Sequence, residues 1–335
     1  MIGSNNKTRG MGSAITKQLK KYTMVLIMIG LCIIFSIIAP SFFSPLNIRN
    51  LIIQNSHILI VAVGLSFVMM SGSLDLSVGY QMSAVGVLTA MLMTTKGFSP
   101  AAAMICGILL GMTCGFLNGF LAVLLKIEAL VVTIATTAVF QGVSYLISKG
   151  IAYNNFPNSF RLISKGSLFG IRMDVCLAIL AVALASIVYN FTYFGRYVKA
   201  MGGNVEATRL AGINTNLMRI ATFVISGFFV AIAAFILISK QGTTNSSVGP
   251  GTEMTGMTAA ILGGISFNSG EGKMWGLVVG VFVLAIIENG MQLAGWNQYI
   301  QYVIKGLVLI AAIGFDQYQR SAKRKKSVKK IEAAA

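Results

Sequence analysis

Ten apolar segments follow one another along the chain, and they restrict the fold to a bundle of helices that cross a membrane. A bilayer core about 30 Å thick is spanned by about 20 mostly apolar residues in a helix. Each segment therefore predicts one crossing, although the eighth is short. The segments lie near residues 22–39, 50–70, 76–95, 101–125, 129–148, 174–191, 220–238, 255–267, 274–293 and 299–315.

The low charge content agrees with a membrane location. Only 10% of the residues are charged, against about 25% in soluble domains. The sequence therefore predicts an all-α, polytopic integral membrane protein with about ten transmembrane helices. We expect the membrane domain over residues 22–317, between a basic N-terminal tail at 1–21 and a basic C-terminal tail at 318–335.

The Lys and Arg residues are divided unevenly between the two sides that these spans define. With the N-terminus inside, the inner segments hold eighteen cations and the outer segments hold seven, while Lys305 lies within a span. Because cytoplasmic loops are enriched in Lys and Arg, this division predicts that both termini are cytoplasmic. Topology also accounts for the formal net charge of +17, and lipid accounts for the basic tail SAKRKKSVKK, so neither indicates a nucleic-acid partner.

The sequence offers no pattern for a metal centre, a cofactor or an enzyme active site. Its only histidine is His57, and none of its four cysteines forms a C-x-x-C pair. The cysteines all lie in apolar runs, as packing residues do. We find no set of nucleophile and base, so the chain is expected to be neither an enzyme nor a metalloprotein. The four cysteines are Cys32, Cys106, Cys114 and Cys176.

The stretch GNVEATRLAGIN, at 203–214, is a polar island between apolar spans. Asn204 is a residue type that caps helix N-termini, and Glu206 then falls in the first turn, where the helix dipole favours a carboxylate. Gly212 is suited to ending the helix. We predict a helix of about two turns over 204–211, which is too short to be stable alone. It lies in the predicted cytoplasmic loop at about 192–219, and it either rests on lipid or docks on a partner.

The stretch SGSLDLSVG, at 71–79, places Asp75 between two apolar spans. A carboxylate near the membrane requires a partner or water. Asp75 either caps a helix that starts at Leu76 or belongs to a polar substrate path. The segment itself is either a tight cytoplasmic turn or a break within a helix. Hydroxyl, amide and aromatic groups suit a sugar, and the candidate path residues are Asp75, Ser77, Tyr80, Gln81 and Asn118.

Glycines recur every fourth residue in the fourth span, which places them on one helix face that another backbone can approach closely. These glycines are Gly107, Gly111, Gly115 and Gly119.

Glu288 and Lys305 are charged residues inside the ninth and tenth spans. A short connection makes these spans an antiparallel hairpin, and both residues then lie roughly 8–9 Å below its outer end. The common depth predicts an intramembrane charge pair. In the alternative, Lys305 extends outward alone and Glu288 faces a water-filled path.

Four stretches together resemble the permease subunit of bacterial ATP-binding-cassette sugar importers, the ribose, xylose and galactose permease family. They are SGSLDLSVG, FGRYVKAMGGNVEATRLAGIN, TAAILGGISFNSGEGKMWG and QYVIKGLVLIAAIGFDQ. The resemblance implies a multi-pass protein of the bacterial inner membrane that passes a sugar from an external binding protein into the cytoplasm. It implies a second copy as a homodimer partner, with the path along the two-fold axis.

The same resemblance implies that the polar island couples the permease to a separate ATPase subunit. The coupling residues would be Asn204, Glu206, Ala207, Arg209 and Gly212. The chain has no P-loop sequence of its own, so ATP hydrolysis is expected on that other chain. The alternative function is an ion-coupled secondary transporter of a small polar solute. Such coupling usually requires acidic residues at mid-membrane, and Glu288 is the one acid plainly within a span.

Overall fold

The computed structural model describes residues 23–267 and 269–332, so the predicted tail at 1–21 lies outside the described residues. The described part is mostly helical. Its helices are α1 (Thr23–Ile38), α2 (Pro45–Met70), α3 (Val78–Thr94), α4 (Pro100–Leu125), α5 (Ala129–Ser148), α6 (Asn158–Lys165), α7 (Met173–Phe191), α8 (Tyr193–Gly203), α9 (Val205–Leu210), α10 (Thr215–Gln241), α11 (Thr252–Leu262), α12 (Met274–Leu293) and α13 (Gln298–Glu332).

Two small antiparallel sheets modify the all-α prediction. Strand β1 (Tyr153–Asn154) pairs with β4 (Thr243–Thr244), and β2 (Ser167–Leu168) pairs with β3 (Ile171–Arg172). Each strand has two residues, so these sheets pin loops together at the ends of the helices.

Two of the described helices begin where a Ser-Pro pair occurs in the sequence. The Ser44 hydroxyl accepts a hydrogen bond from the Asn47 amide at 3.3 Å, and Ser99 accepts one from Ala102 at 3.3 Å. The following proline occupies the first turn of each helix, where its missing N–H costs nothing. These local signals start α2 and α4 at the residues after the serines.

Among the helices that the structure describes, six are long and apolar enough to cross a membrane: α2, α4, α5, α7, α10 and α12. Helices α1 and α3 and the first part of α13 are apolar but shorter. The predicted eighth span at 255–267 has different bounds, because α11 ends at Leu262 and Gly264 has a φ of +81°. Helix α13 continues to Glu332, so no break in the backbone separates the last span from the predicted tail at 318–335.

Helices α2 and α10 form the centre of the bundle, and most of the residues in their apolar stretches are buried. In α5 and α7, by contrast, fewer than a third of these residues are buried. All four predicted packing glycines of α4 are buried, and three of them lie directly against the backbone of α10. A side chain at Gly111 would meet the carbonyl of Gly227, at Gly115 that of Phe223, and at Gly119 the Cα of Ile220. Gly107 instead lies against the ring of Phe235 and the hydroxyl of Thr89.

The connection between α10 and α11, residues 242–251, turns back into the bundle. Ser144 donates a hydrogen bond to the Ser246 carbonyl at 2.9 Å, and the Gly249 amide donates one to Ser83 at 3.0 Å. Gly249 lies against Gly79 in the first turn of α3. Irregular backbone is tolerated at membrane depth when protein surrounds it. The predicted eighth span is therefore shorter as a helix than the other predicted spans, because this non-helical segment precedes α11.

Candidate functional site

A cavity of about 520 Å³, lined by polar and apolar side chains, lies between α2, the start of α11, α12 and α13. This volume is within the range of about 300–1,000 Å³ that is typical of small-molecule sites. Leu284 and Leu309 bound it on the inner side. At 1.5 Å per residue they lie roughly 14–16 Å below the α12–α13 turn, so the cavity extends about halfway through a bilayer core. Its polar lining includes Gln54, Asn55, His57, Thr255, Thr258, Glu288, Asn289, Gln292, Tyr302 and Lys305.

The structure places the predicted charge pair in this cavity. Lys305 Nζ lies 2.7 Å from Glu288 Oε1, and the two side chains are 32% and 23% exposed. Both residues line the cavity, so they are paired with each other and also reach its interior. A charge at this depth is costly when unpaired, and the partner and the cavity together explain how the two are accommodated.

Two hydrogen-bonded clusters hold the helices around the cavity. Asn47 and Asn289 exchange amide hydrogen bonds of 2.8 and 2.9 Å, which join α2 to α12. At the other side of the cavity, Lys240 Nζ donates to the Gln54 carbonyl at 3.0 Å and lies 3.2 Å from His57 Nδ1. His57 is thus packed at a helix interface and contacts a lysine.

A shallower recess adjoins the cavity at its outer end. Gln292, Tyr302 and Lys305 line both, and the recess adds Trp296 together with Gln298 and Gln301. Trp296 and Tyr302 are 44% and 56% exposed. The outer approach to the charge pair is therefore lined by aromatic rings and amides.

The predicted path residue Asp75 lies in a separate, closed network. Its carboxylate accepts hydrogen bonds from the Ser77 amide and hydroxyl at 2.9 and 2.6 Å, from Gln81 at 3.1 Å and from Asn118 at 3.4 Å. Asn118 in turn accepts a hydrogen bond from Thr136 at 2.6 Å. These five side chains are buried, so the network joins α3, α4 and α5 to the irregular segment 71–77.

This geometry corrects one alternative for Asp75. Helix α3 begins at Val78, with Ser77 in the N-cap position, so Asp75 does not cap a helix that starts at Leu76. The segment 71–77 is an irregular connection whose residues are mostly buried. Tyr80 is half-buried and lies outside the network. The structure therefore brings together Asp75, Ser77, Gln81 and Asn118 but keeps them apart from the cavity.

The polar island forms a separate short helix, as its caps predict. Asn204 Oδ1 accepts a hydrogen bond from the Ala207 amide at 2.9 Å, and α9 runs from Val205 to Leu210. Arg209 and Glu206 form an exposed ion pair at 2.6 Å. Gly212 has a φ of +84°, which favours glycine.

Helix α9 and the cavity lie at opposite ends of the bundle. Just before α9, Gly202 packs against the carbonyl of Met70 at the end of α2, whereas the cavity is lined by Gln54 near the start of α2. The side chain of Leu210 is 80% exposed. The chain therefore presents a capped helix with an uncovered leucine on the side away from the cavity.

The sequence contained a signal for three of the polar cavity residues that were not predicted, Asn289, Gln292 and Tyr302. Glu288, Asn289 and Gln292 occur at positions i, i+1 and i+4 of an apolar helix, and Gln301, Tyr302 and Lys305 repeat the same spacing. Such residues share one helix face. A polar face on an apolar helix indicates a wet surface inside the bundle.

A larger, mostly apolar groove of about 1130 Å³ lies near the opposite end, between α1, α12 and residues 263–264 and 269–273. Within residues 23–267 and 269–332, no group of three or more His, Cys, Asp or Glu side chains could hold a metal ion. The cavity beside α13 holds the paired charges of Glu288 and Lys305 and several amide and hydroxyl side chains, and it is therefore the candidate functional site.

A bundle of apolar helices around a cavity that holds polar side chains and extends about halfway through a bilayer core is typical of a membrane transport protein. The chain belongs to the family described as the permease component of branched-chain amino acid transport systems, whose model matches residues 47–313. It is therefore a transport subunit and not an enzyme, and it is a multi-pass protein of the bacterial inner membrane.

Curated relatives cover almost the whole chain. It is 36% identical to the L-arabinose transport system permease protein AraH of Escherichia coli, over 91% of this chain and 92% of that protein. It is 32% identical to the ribose import permease protein RbsC of Bacillus subtilis, over 86% and 89%. It is 28% identical to the galactose/methyl galactoside import permease protein MglC of Escherichia coli, over 90% and 95%. No solved structure matches the chain.

Proposed function

We propose that this chain is the permease subunit of an ATP-driven importer that passes a sugar from an external binding protein into the cytoplasm. The observation that carries this proposal is the similarity to arabinose, ribose and galactose permeases along nearly the full length of the chain. The polar cavity supports it, because amide, hydroxyl and aromatic groups recognise an uncharged polyol.

The proposed topology has ten spans and both termini in the cytoplasm. The division of eighteen inner against seven outer cations supports it, as does the position of α9 at the end of the bundle away from the cavity. In this arrangement the cavity opens to the outside, and α9 lies on the cytoplasmic side. Helix α11 and the irregular segment 242–251 together make the short eighth span.

We further propose that α9 docks in a cleft of a separate ATPase subunit. Asn204 and Ala207 form its N-terminal cap, Glu206 and Arg209 form its exposed ion pair, and Gly212 sets the turn that follows. The exposed Leu210 supports docking, because an uncovered apolar side chain on a short helix gains from burial against a partner. The proposed assembly also contains the external binding protein and a second copy of the permease.

The Asp75 network has a proposed positioning role beside the path. Asp75, Ser77, Gln81 and Asn118 hydrogen-bond to one another, and only Gln81 Oε1 among their buried side-chain oxygens and nitrogens has no partner within the described residues. This mutual bonding supports a role in holding segment 71–77 in place over direct contact with the sugar. Tyr80 lies next to this network and outside it, and it is the one candidate path residue among the five whose side chain is partly exposed.

The ion-coupled alternative is weakened by the contacts of Glu288. Its carboxylate has a lysine partner at 2.7 Å, whereas an acid that carries protons or sodium must exchange its ion during transport. The ATP-driven mechanism therefore accounts better for the charges within the described spans.

Reconstitution tests the two mechanisms directly. The permease, its ATPase and its binding protein are placed in proteoliposomes, and uptake of radiolabelled L-arabinose, D-ribose and D-galactose is measured. We expect uptake of at least one sugar that requires hydrolysable ATP and persists when ionophores collapse the ion gradients. Uptake that survives without ATP and stops with the ionophores would instead establish the ion-coupled alternative.

A further inference from the structure

The Glu288–Lys305 pair has unused hydrogen-bonding capacity inside the cavity. Lys305 Nζ contacts one carboxylate oxygen, Oε1, and an ammonium carries three donors. Among the described side chains, neither the second oxygen of Glu288 nor the remaining donors of Lys305 has a hydrogen-bond partner. The pair thus presents an acceptor next to donors, on side chains that are 23% and 32% exposed.

This arrangement matches two neighbouring hydroxyl groups. One hydroxyl can donate to the free oxygen of Glu288, while the adjacent hydroxyl accepts from Lys305. Hydrogen bonds to charged groups are stronger than those between neutral groups. Because the pair has no net charge, it suits an uncharged ligand that carries a vicinal diol.

The groups around the pair fit the remainder of such a ligand. Gln292 lies one helical turn from Glu288, and its amide makes no hydrogen bond to any described residue. Tyr302 lies one turn from Lys305, with the ammonium 6.0 Å from its ring centre. Aromatic rings offer an apolar face to the C–H groups of a sugar ring and keep a polar edge for its hydroxyls.

We propose that Glu288 and Lys305, with Gln292 and Tyr302, form a low-affinity sugar-binding site in the outer half of the permease. The site grips a vicinal diol of the sugar after the binding protein releases it. This inference rests on the proposed function, and it adds the residues and the chemical feature that the permease itself recognises. The pair thus contributes to binding as well as to helix packing.

The chain provides its own reporter of binding at this site. Its two tryptophans are Trp275 and Trp296, and only Trp296 lines the recess above the charge pair. A Trp275→Phe parent therefore confines tryptophan emission to Trp296. The parent is incorporated in lipid nanodiscs without the binding protein and titrated with L-arabinose, D-ribose, D-galactose and leucine, and saturation-transfer NMR measures sugar contact independently.

We expect a saturable response to at least one sugar at millimolar concentration and a much weaker response to leucine. Glu288→Gln, Lys305→Met and Gln292→Leu should each weaken binding about tenfold or more, because each removes a polar contact and the first two remove a charged one. Gln292→Leu leaves the ion pair in place, so it keeps the test valid if the charge variants fold poorly. Gln141→Leu is the matched control, since Gln141 lies on α5 outside the cavity.

The diol is tested separately with a deoxy analogue. If D-ribose binds, 2-deoxy-D-ribose, which lacks one of its neighbouring hydroxyls, should bind more weakly to the parent than D-ribose does. The difference should shrink in Glu288→Gln and Lys305→Met. An equal difference in the parent and in both variants would place the diol elsewhere and would overturn the assignment.

The remaining outcomes separate this inference from the proposed function. If neither fluorescence nor saturation transfer detects sugar while ATP-driven sugar uptake proceeds in proteoliposomes, the binding site is refuted and the sugar importer stands. If Gln292→Leu and the charge variants bind as the parent does, the site is likewise refuted. Preferential binding of leucine, with leucine uptake, would overturn both.

Discussion

Replacing Gly115 with alanine should push α4 away from the central helix α10. Gly115 is buried in α4, and a Cβ added there would meet the backbone of Phe223 in α10, with the carbonyl carbon at 2.8 Å and its oxygen nearer still. Because both obstacles are backbone atoms, no side-chain rotation relieves the contact. The carbonyl carbon must retreat from 2.8 Å to an ordinary contact of about 3.4 Å or more, which shifts α10 as a unit.

The size of the effect follows from two opposed contributions. Overpacking a close contact costs about 1–3 kcal/mol, and the upper end applies where backbone meets backbone. Alanine is favoured over glycine in a helix by about 1 kcal/mol. The expected net loss for Gly115→Ala is therefore about 2 kcal/mol in the free energy of unfolding.

Gly142→Ala is the matched control for this change. Gly142 is an exposed glycine of α5, and no atom lies within 4 Å of the position its Cβ would take. It should gain the helix-propensity term of about 1 kcal/mol alone. The two variants should thus differ by about 3 kcal/mol in reversible unfolding by SDS in mixed micelles. Equal stability of the two would refute direct backbone packing of α4 on α10.

Three further changes test the charge pair, the coupling helix and the Asp75 network. Glu288→Gln should lower the melting temperature of the detergent-solubilised protein, since it leaves the partly buried charge of Lys305 unpaired. Glu288→Lys combined with Lys305→Glu should partly restore the melting temperature. A double variant as unstable as Glu288→Gln would contradict the pairing. Gly212→Val should abolish ATP-driven uptake without changing membrane insertion, because a β-branched residue resists a φ of +84°. Gly212→Asn should retain uptake, because asparagine tolerates this conformation. Equal uptake by the two variants would show that the turn at Gly212 is not required. Asp75→Leu should reduce the free energy of unfolding by about 2–4 kcal/mol, because several buried donors lose their acceptor. Asp75→Asn should reduce it less. An unchanged unfolding midpoint in Asp75→Leu would show that the network does not stabilise the fold.

Local and periodic features could be predicted from the sequence because they depend on neighbours in the chain. The Asn204 cap and the turn at Gly212 required only a few consecutive residues, and the structure has both. The glycine face of α4 followed from a spacing of four residues. The common depth of Glu288 and Lys305 followed from a short turn and the rise of a helix, and their charged groups lie 2.7 Å apart.

The tertiary structure decided which polar groups meet when they are distant in sequence. Asn118 and Thr136 come from two other helices to complete the Asp75 network, and no local pattern links them to SGSLDLSVG. Helix α11 is shorter than the predicted eighth span, and the non-helical segment 242–251 before it is held inside the bundle by Ser83 and Ser144. The cavity forms in the same way, since α2 packs beside the consecutive helices α11, α12 and α13, from which it is distant along the chain, and leaves space beside the charge pair. Apolar periodicity in the sequence indicates which residues are removed from water. Which polar side chains then face one another is determined only by the packing of helix against helix.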